Sequence, residues 1–203
     1  REIKTLGATR QHLVDNFGPH ILMLDDDLDF AVRRTDIPTK FWPANEIDVI
    51  QMIKDIEYSL EERHPLVGVS SREGANYDTS QFKTATRQLR IHGVNTNFFR
   101  DNNIRYDRVP FMEDFDATLQ VLEAGYANRV LNGWVHNQRG GSNAKGGCST
   151  TRTLEAHNEA AKDLKRLHPK FIRLVDKESG NWGGARIDVH VSWKKAYNEY
   201  HKS

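Results

Sequence analysis

Three consecutive carboxylates, Asp25, Asp26 and Asp27, follow directly on the apolar run HILML at 20–24, and no other junction constrains the fold as much. A short apolar run stopped this abruptly reads as a buried strand, which puts the acids at its carboxyl end. Adjacent carboxylates repel and raise one another's pKa unless a cation or hydrogen-bond donors compensate. A divalent ion is the economical answer, and oxygen ligands favour Mg²⁺ or Mn²⁺. In extended backbone Asp25 and Asp27 point to one side, so one can reach a ribose or metal-bound water while the other ligates the ion. The competing structural reading is an acidic turn that caps the next segment. A calcium loop fails, because Phe30 stands where that loop needs glycine and Asp36 where it needs glutamate.

The pattern around this junction alternates. A helix is expected over 8–17, stopped by Gly18-Pro19, and another over 46–62 with Asn45 as N-cap and Ile47, Ile50, Ile53, Ile56 and Leu60 as its apolar face. Buried strand signal appears at 66–69 and 89–94, separated by a long polar loop over 70–86. A helix over 113–123 turns Phe115, Leu119 and Leu122 inward and is closed by Gly125. A strand follows at 126–136, then a flexible glycine-rich loop from Arg139 to Cys148. A helix over 150–168, short strands at 171–175 and 187–191, and a closing helix over 193–200 complete the chain. Alternating strands and helices predict an α/β fold, a mainly parallel central sheet flanked by helices. At 203 residues this fits a single domain.

Glu113 and Asp114 form a second acidic cluster, placed where a helix N-terminus favours negative charge. Such acids are common in first turns, so plain helix stabilisation competes with catalysis. Their weight comes from the strand-end acids upstream and from His136 downstream, an imidazole that could complete a Mn²⁺ site or equally be structural. No phosphate loop, dinucleotide fingerprint, H-E-x-x-H or G-x-S-x-G string is present, which removes support for ATPase and nucleophilic hydrolase readings. Cys148 is the only cysteine, so an intrachain disulfide and a cysteine cage are excluded, and a reducing compartment, the cytoplasm, is expected. No apolar run approaches the roughly 18 residues that cross a bilayer, and no membrane partner is expected. The chain opens on Arg1 rather than Met, which leaves open a missing N-terminal segment.

A strand ending in Asp25–Asp27, then Met112, Glu113 and Asp114 opening a helix, then His136 before a glycine-rich loop resembles the GT-A glycosyltransferases. The strings TRQ at 9–11, ILMLDDDL at 21–28, PFMEDFD at 110–116 and WVHN at 134–137 resemble more closely the TET-associated glycosyltransferases of bacteriophages, over roughly 5–143. That family is thought to glycosylate 5-hydroxymethylpyrimidines in DNA. The resemblance implies a GT-A-like fold, here lacking its first strand, and a nucleotide-sugar donor of the UDP-sugar type. It implies that Asp25 and Asp26 contact the nucleotide, Arg10 the donor phosphate, and that Asp27 and His136 hold Mn²⁺ or Mg²⁺. Asp114 or Glu113 becomes the general base, while Arg139 and Lys145 close over the donor from the mobile loop. The compartment implied is the host cytoplasm.

For the acceptor, Arg72, Lys83 and Arg87 outnumber the acids near them and interleave with Tyr77, a pattern that suits phosphate contacts and stacking on an extruded base. An ordinary solvated surface is the competing reading, since the formal net charge is only +1. Transfer to a glycan or protein, nucleotidyl transfer at the same strand-end acids, and a non-catalytic nucleotide-sugar or DNA-binding module stay open.

Overall fold

A computed structural model of the protein describes residues 5–61, 63–138, 153–179 and 184–201. The chain opens with α1 (Leu6–Asn16), whose N-cap Thr5 accepts a hydrogen bond from the Ala8 N–H at 3.1 Å. Then β1 (His20–Leu24) leads through the aspartate turn into β2 (Leu28–Arg33) and β3 (Phe41–Pro43). Helix α2 (Glu46–Glu61) precedes β4 (Leu66–Ser71), β5 (Phe82–Thr84) and β6 (Ile91–Asn95). Helices α3 (Thr96–Asp101) and α4 (Glu113–Glu123), strand β7 (Arg129–Gln138) and helix α5 (Leu154–Leu167) follow. The hairpin β8 (Ile172–Ser179) and β9 (Gly184–Val191) and helix α6 (Trp193–Tyr200) end the fold.

The strands lie in the order β1-β6-β4-β7-β2-β3, with β5 also pairing β7. The expected mainly parallel sheet is corrected here. Among the described strands only β4 and β7 run parallel, and every other pairing is antiparallel. The cause lies in the connections. A parallel return needs a crossover of a dozen or more residues, usually a helix. Between β4 and β6 runs a stretch with no α-helix, and β2 follows β1 after a turn of three residues. Both strands therefore come back reversed, so the sheet is mixed. The helix-flanked α/β character holds.

Helix α2 also departs from expectation. Ile47, Ile50 and Ile53 are exposed, while Met52, Ile56, Ser59 and Leu60 face the sheet. Steps of three residues fall about 60° short of a full turn each time, so the line of isoleucines wanders off the buried stripe. Asn45 does cap the helix, with Oδ1 accepting from the Asp48 N–H at 3.0 Å. The presumed loop at 70–86 contains a 3-10 turn (Ala75–Tyr77) and β5.

The core has one apolar cluster on each side of the sheet. Val14, Met23, Val94, Phe99 and Tyr106 gather under α1 and α3, and Met52, Ile56, Val67, Val69 and Ile91 gather under α2. A third, with Leu119, Leu122, Leu164, Phe171 and Ala196, joins α4 to α5, α6 and the β8–β9 hairpin. No helix among the described residues is long and apolar enough to cross a membrane.

Candidate active site

The site forms where β1 ends, β6 begins and α4 begins, and Arg10 organises it. Gly7 lets α1 approach closely enough: a Cβ there would lie 2.5 Å from the Tyr106 carbonyl oxygen and 3.4 Å from the Glu113 Cβ. One turn on, the buried Arg10 donates from Nη1 to Glu113 Oε1 at 2.9 Å and from Nη2 to Asp25 Oδ1 at 3.1 Å. A guanidinium always donates, so the buried His92, whose Nε2 lies 3.3 Å from Arg10 Nη1, must offer a lone pair there. That assigns the proton to Nδ1, which donates to the Tyr106 hydroxyl at 3.1 Å, and makes the ring neutral. Burial, with Arg10 and His136 nearby, drives the His92 pKa well below its usual value, in agreement.

The carboxylates pull the other way. Burial raises the Asp25 pKa against the attraction of Arg10 and Arg90. Glu113 is pushed up to about 7 by burial and by Asp114 beside it, with Arg10 opposing. Asp114 is raised by burial, with Arg10 and Arg87 opposing. Met112, which precedes the helix, has φ +63, a left-handed conformation that non-glycine residues seldom adopt. Its carbonyl accepts from the Phe115 and Asp116 N–H groups. Glu113 is thereby aimed at Arg10, whereas Asp114 Oδ1 accepts from the Phe115 N–H at 3.0 Å.

Asp27 takes a different direction from Asp25, because the chain turns between them rather than staying extended. Its Oδ2 accepts from Gln138 Nε2 at 2.8 Å, while Oδ1 is buried without a hydrogen-bond partner. Two residues before Gln138, and so on the same face of β7, His136 is buried with neither ring nitrogen hydrogen-bonded. Burial and Arg90 lower its pKa to about 4, so it is neutral at physiological pH, as a metal-binding imidazole must be. Orphaned buried polar atoms call for an explanation, and an oxygen and an imidazole are what a hard divalent ion accepts. Among the described residues no three or more His, Cys, Asp or Glu side chains gather so as to hold an ion. Asp27 and His136 are the two groups here that could hold such an ion.

Of the other expected site residues, Asp26 is exposed on the turn. Arg87 lies over the Phe115 ring at 4.7 Å and within electrostatic reach of Asp114. Lys83 pairs with Asp78 at 3.1 Å, and Arg72 lies over Phe41 at 5.0 Å. Tyr77 is 95% exposed. Arg139 and Lys145 lie outside the described residues. Sequence reasoning missed His92 and Tyr106. A histidine inside the apolar strand at 89–94 was a usable signal, but nothing local marks Tyr106.

The family profile of TET-associated glycosyltransferases matches residues 1–147. Among curated proteins, the β-glucosyl-HMC-α-glucosyl-transferase of Enterobacteria phage T2 is 24% identical over 186 residues, 85% of this chain and 64% of that protein. Its counterpart in Enterobacteria phage T6 is 24% identical over 185 residues, 84% of this chain and 64% of that protein. The chain thus spans less than two thirds of the curated relatives it matches. No solved structure matches it.

Proposed function

The chain belongs to the TET-associated glycosyltransferase family, and from that premise we propose that it transfers a sugar from a nucleoside-diphosphate donor to a hydroxymethylated pyrimidine in DNA. The observation that carries the reading is the convergence of Arg10, Asp25, Glu113 and Asp114 at one end of the sheet, in the order that the family resemblance requires. Glu113 is committed to Arg10. Asp114 is therefore the residue to receive the acceptor proton, its raised pKa bringing it closer to an alkoxide's needs than an ordinary aspartate.

In this reaction the acceptor hydroxyl oxygen bonds to the sugar's anomeric carbon as the bond from that carbon to the diphosphate oxygen breaks. The nucleoside diphosphate leaves with the electron pair, and Asp114 takes the hydroxyl proton. This describes an inverting transfer; a retaining one does not need a base in that place. Asp27 and His136, whose carboxylate oxygen and ring nitrogens are buried without hydrogen-bond partners, would hold a Mg²⁺ or Mn²⁺ ion. When bound, it offsets charge on the departing diphosphate. Asp25 and Arg10 orient the nucleotide, and Arg72, Tyr77, Lys83 and Arg87 face the acceptor.

The relatives' printed names favour a second acceptor, a glucose already attached to HMC. Both are tested together. Duplexes bearing hydroxymethylcytosine, its β-glucosylated form or plain cytosine are incubated with nucleotide-sugars and Mn²⁺, and intact masses and released nucleotides are read. A hexose-sized gain on a modified duplex with nucleoside diphosphate release is expected. Pyrophosphate release would point to nucleotidyl transfer, and gain only on glycan or protein acceptors would move the substrate elsewhere.

A further inference from the structure

The strand pairings bring several strand termini to one end of the sheet. β1 and β4 both end beside the start of β6, β7 runs parallel to β4, and β2 starts beside the end of β7. Asp25, Asp27 and His136 stand at this end, and so does Arg90, the residue that precedes β6. Leu24 pairs with Ile91, and one rung further the Asp25 N–H donates to the Arg90 carbonyl oxygen at 3.2 Å. The two residues are cross-strand neighbours.

The segment from Ala85 to Arg90 is held in an uncommon shape. Ala85 at φ +46 and Arg90 at φ +57 occupy the left-handed region, which residues with a side chain seldom adopt and which persists where surrounding contacts fix it. Those contacts are buried. Asn128 accepts from the Thr86 N–H at 3.1 Å and donates to the Thr86 carbonyl oxygen at 2.9 Å and to Gln88 Oε1 at 3.2 Å. Gln88 in turn donates to the Ile91 carbonyl oxygen at 3.0 Å and lies so close to Gly68 that a Cβ there would come within 2.8 Å of its side chain. The braced backbone carries the half-buried side chain of Arg90, which forms no hydrogen bond or ion pair among the described residues. Arg10 differs: it is 4% exposed, and its Nη atoms are engaged by Asp25, Glu113 and His92. Arg90 acts electrostatically on both Asp25 and His136, and so on both halves of the site.

We propose that the unpartnered guanidinium of Arg90, fixed at its backbone across from Asp25, receives the diphosphate of the donor and is a catalytic residue of the transfer. This rests on the glycosyl-transfer reading above. The planar fork of an arginine matches phosphate oxygens two at a time, and such charge-assisted bonds are the strong ones. When the bond from the anomeric carbon to the diphosphate oxygen breaks, the electron pair stays on that oxygen. Arg90 stabilises the resulting charge by hydrogen bonding and keeps its own proton. A backbone braced before substrate arrives needs little reorganisation at that moment.

The test uses the full chain in calorimetry with Mn²⁺ present, titrated with uridine, guanosine, adenosine and cytidine diphosphates and the matching monophosphates. Wild type is expected to prefer one diphosphate over its monophosphate. Arg90→Gln should weaken that diphosphate about 10- to 100-fold, leave the monophosphate and duplex affinities unchanged, and lower kcat about 10²–10³-fold. Arg90→Lys should recover part of both losses, since it returns the charge without the fork. Arg90→Gly suits the left-handed backbone and should match Arg90→Gln, which separates the guanidinium from the strain. Undiminished diphosphate affinity in Arg90→Gln and Arg90→Gly overturns the proposal, as does a wild type that favours no diphosphate over its monophosphate. A loss of duplex affinity in place of diphosphate affinity assigns Arg90 to the acceptor and overturns it too. Diphosphate binding through Arg90 with no sugar transferred to any acceptor keeps Arg90 as a diphosphate site and removes the transfer reading alone.

Discussion

On the single helix α4, Glu113 and Asp114 in the first turn depend on Arg10 and Arg87 for compensating charge, whereas Asp116 is surrounded by donors. His168 sits between Asp116 and Glu123, its Nε2 and Nδ1 each 2.8 Å from a carboxylate oxygen. Both nitrogens can donate only if the ring is an imidazolium. Gln120 Nε2 donates to Asp116 at 3.0 Å and Arg108 adds an ion pair at 3.3 Å. Burial alone would lower the His168 pKa, but the two carboxylates together outweigh it and raise it. The first acids are left short of positive charge and have raised pKa values; the second set is matched and locks α5 to α4. The acid to which the proposed reaction assigns a proton, Asp114, and the buried acid that ties helices together, Asp116, are separated by two residues and by the completeness of their partners.

That contrast can be broken at either end. Asp114→Asn keeps the shape but cannot take a proton, so turnover should fall about 10²–10⁴-fold. Melting temperature should hardly move; near-wild-type turnover at saturating donor and acceptor would remove Asp114 from the mechanism. His168→Ala should do the reverse. It removes a charged donor from the buried Asp116, which keeps Gln120 and Arg108, and from Glu123, at a cost of about 1–3 kcal/mol in denaturant unfolding, with specific activity of the folded fraction retained.

Smaller effects come from pH. The Glu113–Asp114 pair titrates as a unit, and its active form is ionised, so activity should rise with pH through a limb near neutrality rather than near 4. Glu113→Gln removes a neighbouring negative charge and should move the limb down; a limb already in the ordinary carboxylate range in wild type contradicts the assignment. His168 gives the smallest and opposite signal. Its folded pKa is raised, so its stabilising effect is complete below about 6.5, the unfolded value, and disappears as pH rises through the folded value. Melting temperature should fall over that interval in wild type and stay flatter in His168→Gln.

How much of this was legible in the sequence differs by scale. An apolar run ending in acids located β1, and helical periodicity located α4, because these signals are local. Sheet direction was not legible. Alternation of elements suggested parallel strands, but pairing depends on which strands are neighbours, and β6 and β2 were inserted between strands distant in the chain. At the site, Arg10, Asp25, Glu113 and Asp114 come together as their order suggested. His92 and Tyr106 entered only through tertiary contact, across 82 and 14 residues respectively. The parting of Asp25 from Asp27 followed from a turn where extended backbone was expected.

The pairing of Leu28 with Gln138 has a consequence for how the protein is made. At synthesis rates of about 5–20 residues per second, β7 emerges from the ribosome about 5–20 seconds after β2. Until then the β2–β3 hairpin has an unpaired edge, and Asp27 has no Gln138 to hold it. Closing such distant pairings is slow relative to forming helices. The aspartate turn is therefore synthesised well before the strand that fixes its geometry, which leaves the nascent chain exposed to edge-to-edge association during that interval.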